Sequence, residues 1–377
     1  MLADTLHVAM LFAPALITWC LWAFVLTINQ AWDATFSSYW PMSIALVFGS
    51  LLAGSTPCSA GVVIYPVTQL APLHPAPDSR DASLLLQAVG LAAATYTILH
   101  RKPELLHGTG YMLFFFCTVG AVGVIAGFTA ALARDLANTV FTSTVFAFAM
   151  AYFYASEVLL KPVPAMAPSD LIGRSKQEQA ARSDTVMALL ACVCAMGGGF
   201  LAGTIGTGAD IACYAFGIFC WNVRHPRLAL DGAQLTATAV VVMAFVSIFA
   251  SLVRALVDGG FSRPTLLCWG AMVPVVVVGA PVGSLVLSPT ATTGLRRLFY
   301  CLASTQFACY LIFAPTLGSP IWRLVAGALV VEAVALACHF VLVQPRSSRA
   351  PSPSRGDEIN GKPYAHSHKG TYSASMI

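Results

Sequence analysis

Gly197 to Ile211 reads GGGFLAGTIGTGADI and stands between long apolar runs. Glycine is poor helix material and a carboxylate is expensive in hydrocarbon, so this stretch ought to be excluded from a bilayer. Yet its surroundings are membrane-like. Of 377 residues, 58% are hydrophobic and 10% charged, with a mean hydropathy of +0.76. Soluble domains carry about 25% charged residues, so the composition is that of an integral, multi-pass membrane protein. The first apolar run, His7 to Asn29, has no basic residue before it and no small-residue cleavage site after it. It reads as a retained helix rather than a signal peptide. The net charge of +4 resides largely in loops and tail, and no basic patch interleaved with aromatics points to nucleic acid.

Eight segments are long enough to cross as helices of about 20 residues: 7–29, 83–100, 110–133, 139–160, 233–257, 265–287, 295–316 and 321–343. Two further apolar regions, 41–71 and 186–222, are interrupted by GSTPCSAG (54–61) and GTIGTGAD (203–210). Their second arms are too short to cross alone. If both regions cross once, the basic loop residues divide almost evenly between the two faces. If both are re-entrant, five (Arg80, Arg134, Arg254, Arg263, Arg323) fall on one face and the other 15 of the 20 Lys and Arg on the opposite face. That asymmetry is the positive-inside pattern, so the hairpin arrangement is favoured, with both termini cytosolic.

An internal repeat agrees. A shift of 149 residues lays Leu52-Ala53-Gly54-Ser55 on Leu201-Ala202-Gly203-Thr204, Ala60 on Ala209 and Tyr65 on Tyr214. The GxxxG pair Gly123/Gly127 has a counterpart in Gly279/Gly283. Three crossings separate the interrupted segments, so the repeats are inverted, as in many secondary transporters. The expected fold is an all-α membrane protein of about eight crossing helices and two re-entrant broken hairpins. Its first half is 1–160, with hairpin 41–71; a Pro-rich, then charged cytosolic linker follows at 161–184. The second half is 185–343, with hairpin 186–222, and the Ser/Arg/Pro/Gly-rich tail 344–377 reads as disordered. The eleven cysteines fall mostly inside apolar segments and read as buried thiols; Cys192 and Cys194 make only CxC, which is not zinc spacing.

Irregular backbone at membrane depth survives only where protein buries it or where it lines a wet cavity. Two such segments therefore predict a midplane cavity. Each second arm begins just after its small-residue loop, and its unpaired N–H donors favour an anion. Gly54, Gly61, Gly203, Gly206 and Gly208 let backbone approach a ligand, while Ser55, Thr56, Ser59, Thr204 and Thr207 offer hydroxyls. Gln87 and Gln234, near the starts of the helices after each hairpin, either reach the cavity or bond a neighbouring helix. Gly197 to Gly199 also suit close helix packing. Asp210 is either a cap for the second half-helix or a protonatable group coupling protons to the anion.

The runs FLAGTIGTGADI, RHPRLALDGAQLTAT and VVVVGAPVGSLV, with SLLAGSTPCSAGVVIYPV and DASLLLQAVGLAAA earlier, resemble the sulfite exporter TauE/SafE family, particularly its eukaryotic branch. The resemblance spans roughly residues 40–340. It implies a carrier exporting small sulfur-containing anions such as sulfite or organosulfonates, with its site at Gly54–Gly61, Gly203–Asp210 and Gln87. Ala209 and Asp210 close the second loop where the family often has consecutive glycine, and Pro57 and Cys58 stand in the first. The expected partners are a small anion and the lipid bilayer of a plasma or internal membrane, with room for a homo-oligomer and no call for cofactor or metal. An enzyme is disfavoured. GTGAD has one residue more than the GxGD of intramembrane aspartyl proteases, no second helix aspartate completes a dyad, and GxSxG is missing. An anion channel and a non-transporting scaffold or receptor are the competing readings.

Overall fold

The computed structural model describes residues 2–57, 76–130, 147, 184–257 and 259–287. The expected spans 139–160 (apart from residue 147), 295–316 and 321–343, the arm 62–71, Ser59, Gly61, nearly all of the linker and the tail lie outside the described residues. Within them the chain forms helices α1 (Leu2–Ile28), α2 (Trp32–Ser55), α3 (Ala76–Arg101), α4 (Gly110–Thr129), α5 (Thr185–Ile205), α6 (Ala209–Ala215), α7 (Gly232–Val257) and α8 (Arg263–Val286). Six of these, α2 to α5, α7 and α8, are long and apolar enough to cross a membrane. The first hairpin arm starts at Trp32 rather than at 41, because α2 runs through Pro41 without a break. Large apolar side chains such as Phe24, Phe48, Phe114, Leu189 and Leu256 stand exposed on the outside, where soluble proteins would bury them and lipid accepts them.

Lipid gives apolar side chains no reason to associate with one another, so these helices pack through small residues. Along α4 and α5, Gly123 faces Gly199 and Gly127 faces Gly203, so closely that a Cβ at Gly127 would run into the Phe200 carbonyl. Along α8 and α2, Gly279 faces Ser50 and Gly283 faces Gly54, and a Cβ at Gly283 would run into the Leu51 carbonyl. The two sets correspond through the internal repeat: Ser50 and Gly54 on Gly199 and Gly203, and Gly279 and Gly283 on Gly123 and Gly127. Each half thus clasps the first hairpin arm of the other half with its own GxxxG pair.

Pro274 removes the N–H that Gly270 would otherwise bond within α8. An orphan carbonyl costs several kcal/mol in hydrocarbon. Trp22 Nε1 of α1 donates to Gly270 O at 2.7 Å, and Trp19 Nε1 donates to Pro274 O at 3.1 Å. Ser43 Oγ of α2 donates to Ala271 O at 2.7 Å. The proline in α8 therefore frees the carbonyl at which Trp22 of α1 attaches, with the Trp19 and Ser43 bonds made to carbonyls beside it.

The ends of the bundle can be told apart. Lys102, just past α3, donates to Leu285 O and Leu287 O at the end of α8, while Gln234 at the start of α7 reaches His107 O at 3.4 Å. At the other end, Arg254 Nε near the close of α7 pairs with Asp81 Oδ2 near the start of α3 at 3.0 Å. Helices α3 and α7 are antiparallel neighbours.

Candidate functional site

The second hairpin can be built residue by residue. Asp184 caps α5, accepting from Val186 N at 3.1 Å and Met187 N at 3.3 Å. Its other oxygen accepts from Arg224 Nε at 3.0 Å. Since Arg224 closes the returning arm, the chain leaves through the end of the bundle by which it entered. Burial alone would push the Asp184 carboxyl up. The bonds from Arg224, Met187 N and Val186 N and the Arg224 charge outweigh it and hold the group below the usual carboxylate range.

At the far end, α5 stops at Gly206, whose φ of 84° is left-handed, and Gly208 at φ 128° opens α6. Gly198 lets the two arms close, since a Cβ there would stand 2.7 Å from the Ala212 methyl. The seven residues of α6 run into a π-helical stretch, Phe216–Trp221, then the turn Asn222–Arg224. Trp221 Nε1 donates to Leu228 O at 3.2 Å, and Asn222 makes two bonds of 2.8 Å with Leu230, which fasten the connection to α7.

What meets the tip is α3 from the other half. Arg80, Ser83 and Gln87 lie three and four residues apart, so they form one stripe on that helix. Gly206 O accepts from Ser83 Oγ at 3.1 Å and from Gln87 Nε2 at 2.8 Å, and Gln87 Nε2 also donates to Ser83 Oγ at 2.7 Å. Arg80 holds Asp81 Oδ1 through Nε at 2.8 Å and Nη2 at 2.7 Å, approaches Gly203 O at 3.5 Å, and lies over the Phe128 ring at 5.0 Å. Asp81, 3% exposed, therefore joins two guanidinium groups, one from α3 and one from α7.

The sequence-derived residues do not all converge. Gly206, Gly208, Thr207, Gln87 and Asp210 are brought together at this tip. Asp210 is the second residue of α6 rather than its N-cap; its Oδ1 accepts from Gly208 N at 3.2 Å and Ile211 N at 2.9 Å. A protein carboxylate thus occupies N–H donors expected to serve an anion. Ser55, Thr56 and Thr204 donate back into their own helices, to Leu51 O at 2.7 Å, Leu52 O at 2.7 Å and Phe200 O at 3.0 Å. Gly54 and Gly203 serve helix contacts. Gln234 stands at the opposite end, where Asp231 and Gln234 exchange bonds in a capping box at the start of α7.

The end of α2 and the second hairpin tip approach from opposite ends. Gly90 of α3 packs on Val276, so Ala280 to Ser284, which face Gly54, stand level with residues 94–98 of α3. Gly206 stands level with Ser83 to Gln87. Gly54 at the end of α2 and the second tip therefore flank the middle of α3, roughly 16 Å apart along its axis. The spacing of Arg80, Ser83 and Gln87, a polar stripe on an apolar helix, was the signal in the sequence that would have identified Arg80 and Ser83.

Among known proteins, the family described as Sulfite exporter TauE/SafE matches residues 42–308. No curated protein and no solved structure matches the chain. The match covers most of the chain, including both interrupted segments and all described helices except α1 and the first turns of α2. The chain is a multi-pass membrane protein that belongs to the sulfite exporter TauE/SafE family, a family of transporters.

Proposed function

We propose that the chain is a secondary carrier that exports small sulfur-containing anions, of the sulfite or organosulfonate class, through the middle of the bundle between the two hairpin tips. The observation that supports this reading is the second hairpin tip at the level of Ser83 to Gln87 on α3, with the end of α2 at Gly54 on the other side of that helix's centre. Non-helical backbone at the second tip is accommodated by buried polar groups from the opposite half, as expected of a gated site rather than of a passive scaffold. Because each tip is clasped by the opposite half, a rocking of one half against the other would open one end as it closes the other.

Export needs no coupled ion on this reading. With the cytosol negative, each exported negative charge gains about 2.3 kcal/mol per 100 mV, roughly a fifty-fold gradient. The test is a flux screen in proteoliposomes with sulfite, sulfate, thiosulfate, taurine-like sulfonates and short carboxylates. Saturable flux of sulfite or a sulfonate, driven by an imposed potential, is the expected result. Flux that does not saturate would make the protein a channel, and no flux of any of these anions would leave a scaffold or receptor.

A further inference from the structure

Three buried polar atoms near the middle of the bundle lack a hydrogen-bond partner among the described residues: Gln87 Oε1, Ser247 Oγ and Ser251 Oγ. Gln87 and Ser247 are fully buried. On these two helices Thr97, Thr236 and Thr238 return their proton to the preceding turn, at Ala93 O, Gly232 O and Gln234 O, whereas Thr95 Oγ1, about two turns beyond Gln87 on α3, is a fourth buried atom without a partner among the described residues. Ser247 and Ser251 make no such bond. The pairing of Asp81 with Arg254 sets the antiparallel register of α3 and α7. Counting from that pair puts Ser251 level with Leu84 and Ser247 level with Ala88, the same level as Gln87 and the second hairpin tip. The orientation of the Gln87 amide is fixed as well. Gly206 O can only accept, so Nε2 must face it, and Oε1 is the atom left over. A buried polar atom without a partner costs about 1–3 kcal/mol, and three at one level, beside loop backbone, are what an unfilled ligand site leaves.

Resting on the transport reading above, we propose that Gln87, Ser247 and Ser251 form the substrate site, and that it selects the protonated, singly charged form of the oxyanion, hydrogen sulfite. The two serine hydroxyls donate to sulfur-bound oxygens, and Gln87 Oε1 accepts the proton of the ligand. A dianion would direct a lone pair at Oε1 and leave that atom unsatisfied. Among the described residues, the fixed charges around the site are Arg80 and Asp81 on α3, Arg254 on α7 and Asp210 at the tip. The two acids set against the two arginines leave no surplus positive charge suited to a dianion.

The test measures initial flux through the full-length protein in proteoliposomes, one pH unit either side of the second ionisation of sulfite, with sulfate and methanesulfonate as comparisons. Flux should follow the hydrogen sulfite concentration, falling several-fold across the range. Sulfate, a dianion, and methanesulfonate, a monoanion without a proton to give, should each move at less than about a tenth of that rate. Ser247→Ala with Ser251→Ala should raise the apparent KM for sulfite roughly tenfold or more. Gln87→Lys keeps a donor for Gly206 O and removes the acceptor, so it should flatten the pH dependence and admit sulfate; should it not assemble, the serine pair and the wild-type selectivity carry the test. Flux that ignores sulfite protonation, methanesulfonate moving as fast as hydrogen sulfite, or an unchanged KM in the serine variant would each overturn the site while leaving the transport reading intact. Vesicles that move neither sulfite nor any sulfonate would overturn both.

Discussion

A Cβ at Gly206 would stand 2.7 Å from the Arg80 carbonyl oxygen, on a residue whose φ is already left-handed. From sequence alone Gly206→Ala is expected to spare assembly and reduce transport; the structure predicts that both suffer, with about 1–3 kcal/mol lost from stability. Gly197→Ala is the matched control. Nothing lies within 4 Å of its would-be Cβ, and alanine is the better helix former by about 1 kcal/mol, so that variant should melt no lower than wild type in detergent. Asp210→Asn should retain flux and its pH profile, since an asparagine oxygen can take the same two N–H groups. Loss of coupling to an imposed pH gradient in that variant alone would make Asp210 a proton carrier instead. The interruption and its glycines were legible in the sequence because φ and close approach are written in residue type. Where the hydroxyls point was not, because a threonine in a helix has its own carbonyl four residues back as a competing partner. Gln234 was readable in principle: Asp231 three residues before it is a capping-box spacing, which placed it at a helix start instead of a cavity.

Helix contacts carry the next set of expectations. Gly127→Ala and Gly283→Ala push a methyl into the Phe200 and Leu51 carbonyls respectively, and each should lower stability by about 1–3 kcal/mol, measured as thermal unfolding in detergent. Equal losses are the signature of equivalent halves; a loss in only one would break the equivalence. At the base of the second hairpin, the depressed Asp184 titration gives a pH test. The cap and ion pair contribute fully above the ordinary carboxylate range, and that contribution disappears as pH falls through the lowered value. Asp184→Ala should cost about 1 kcal/mol near neutrality, mostly from the cap because Arg224 is 46% exposed, and should converge with wild type in acid. Helix existence was legible throughout the described residues, because twenty apolar residues have few alternatives in lipid. Partner choice was not. Two GxxxG pairs announce close packing without saying against what, and the crosswise pairing appears only in three dimensions.

For the molecule as a whole, the hairpin arrangement predicts a common side for positions that bracket the first hairpin. Single cysteines at Asp33 and Pro75, in a cysteine-light background, should both react with an impermeant reagent from the non-cytosolic side. Reaction from opposite sides would convert that hairpin into a crossing and remove the inversion. In the second hairpin Asp184 and Arg224 meet at one end of the bundle, while Arg80 and Arg254 share Asp81 at the other. The crosswise clasp also has a bearing on biosynthesis. When the ribosome has finished α2, the glycine face of that helix has no mate until α8, more than two hundred residues later, has entered the bilayer. The second hairpin arm, by contrast, finds α4 already inserted. The earlier hairpin must therefore wait beside the insertion machinery as an incomplete surface, and a chain truncated before Gly279 would leave it permanently unclosed and a substrate for membrane quality control.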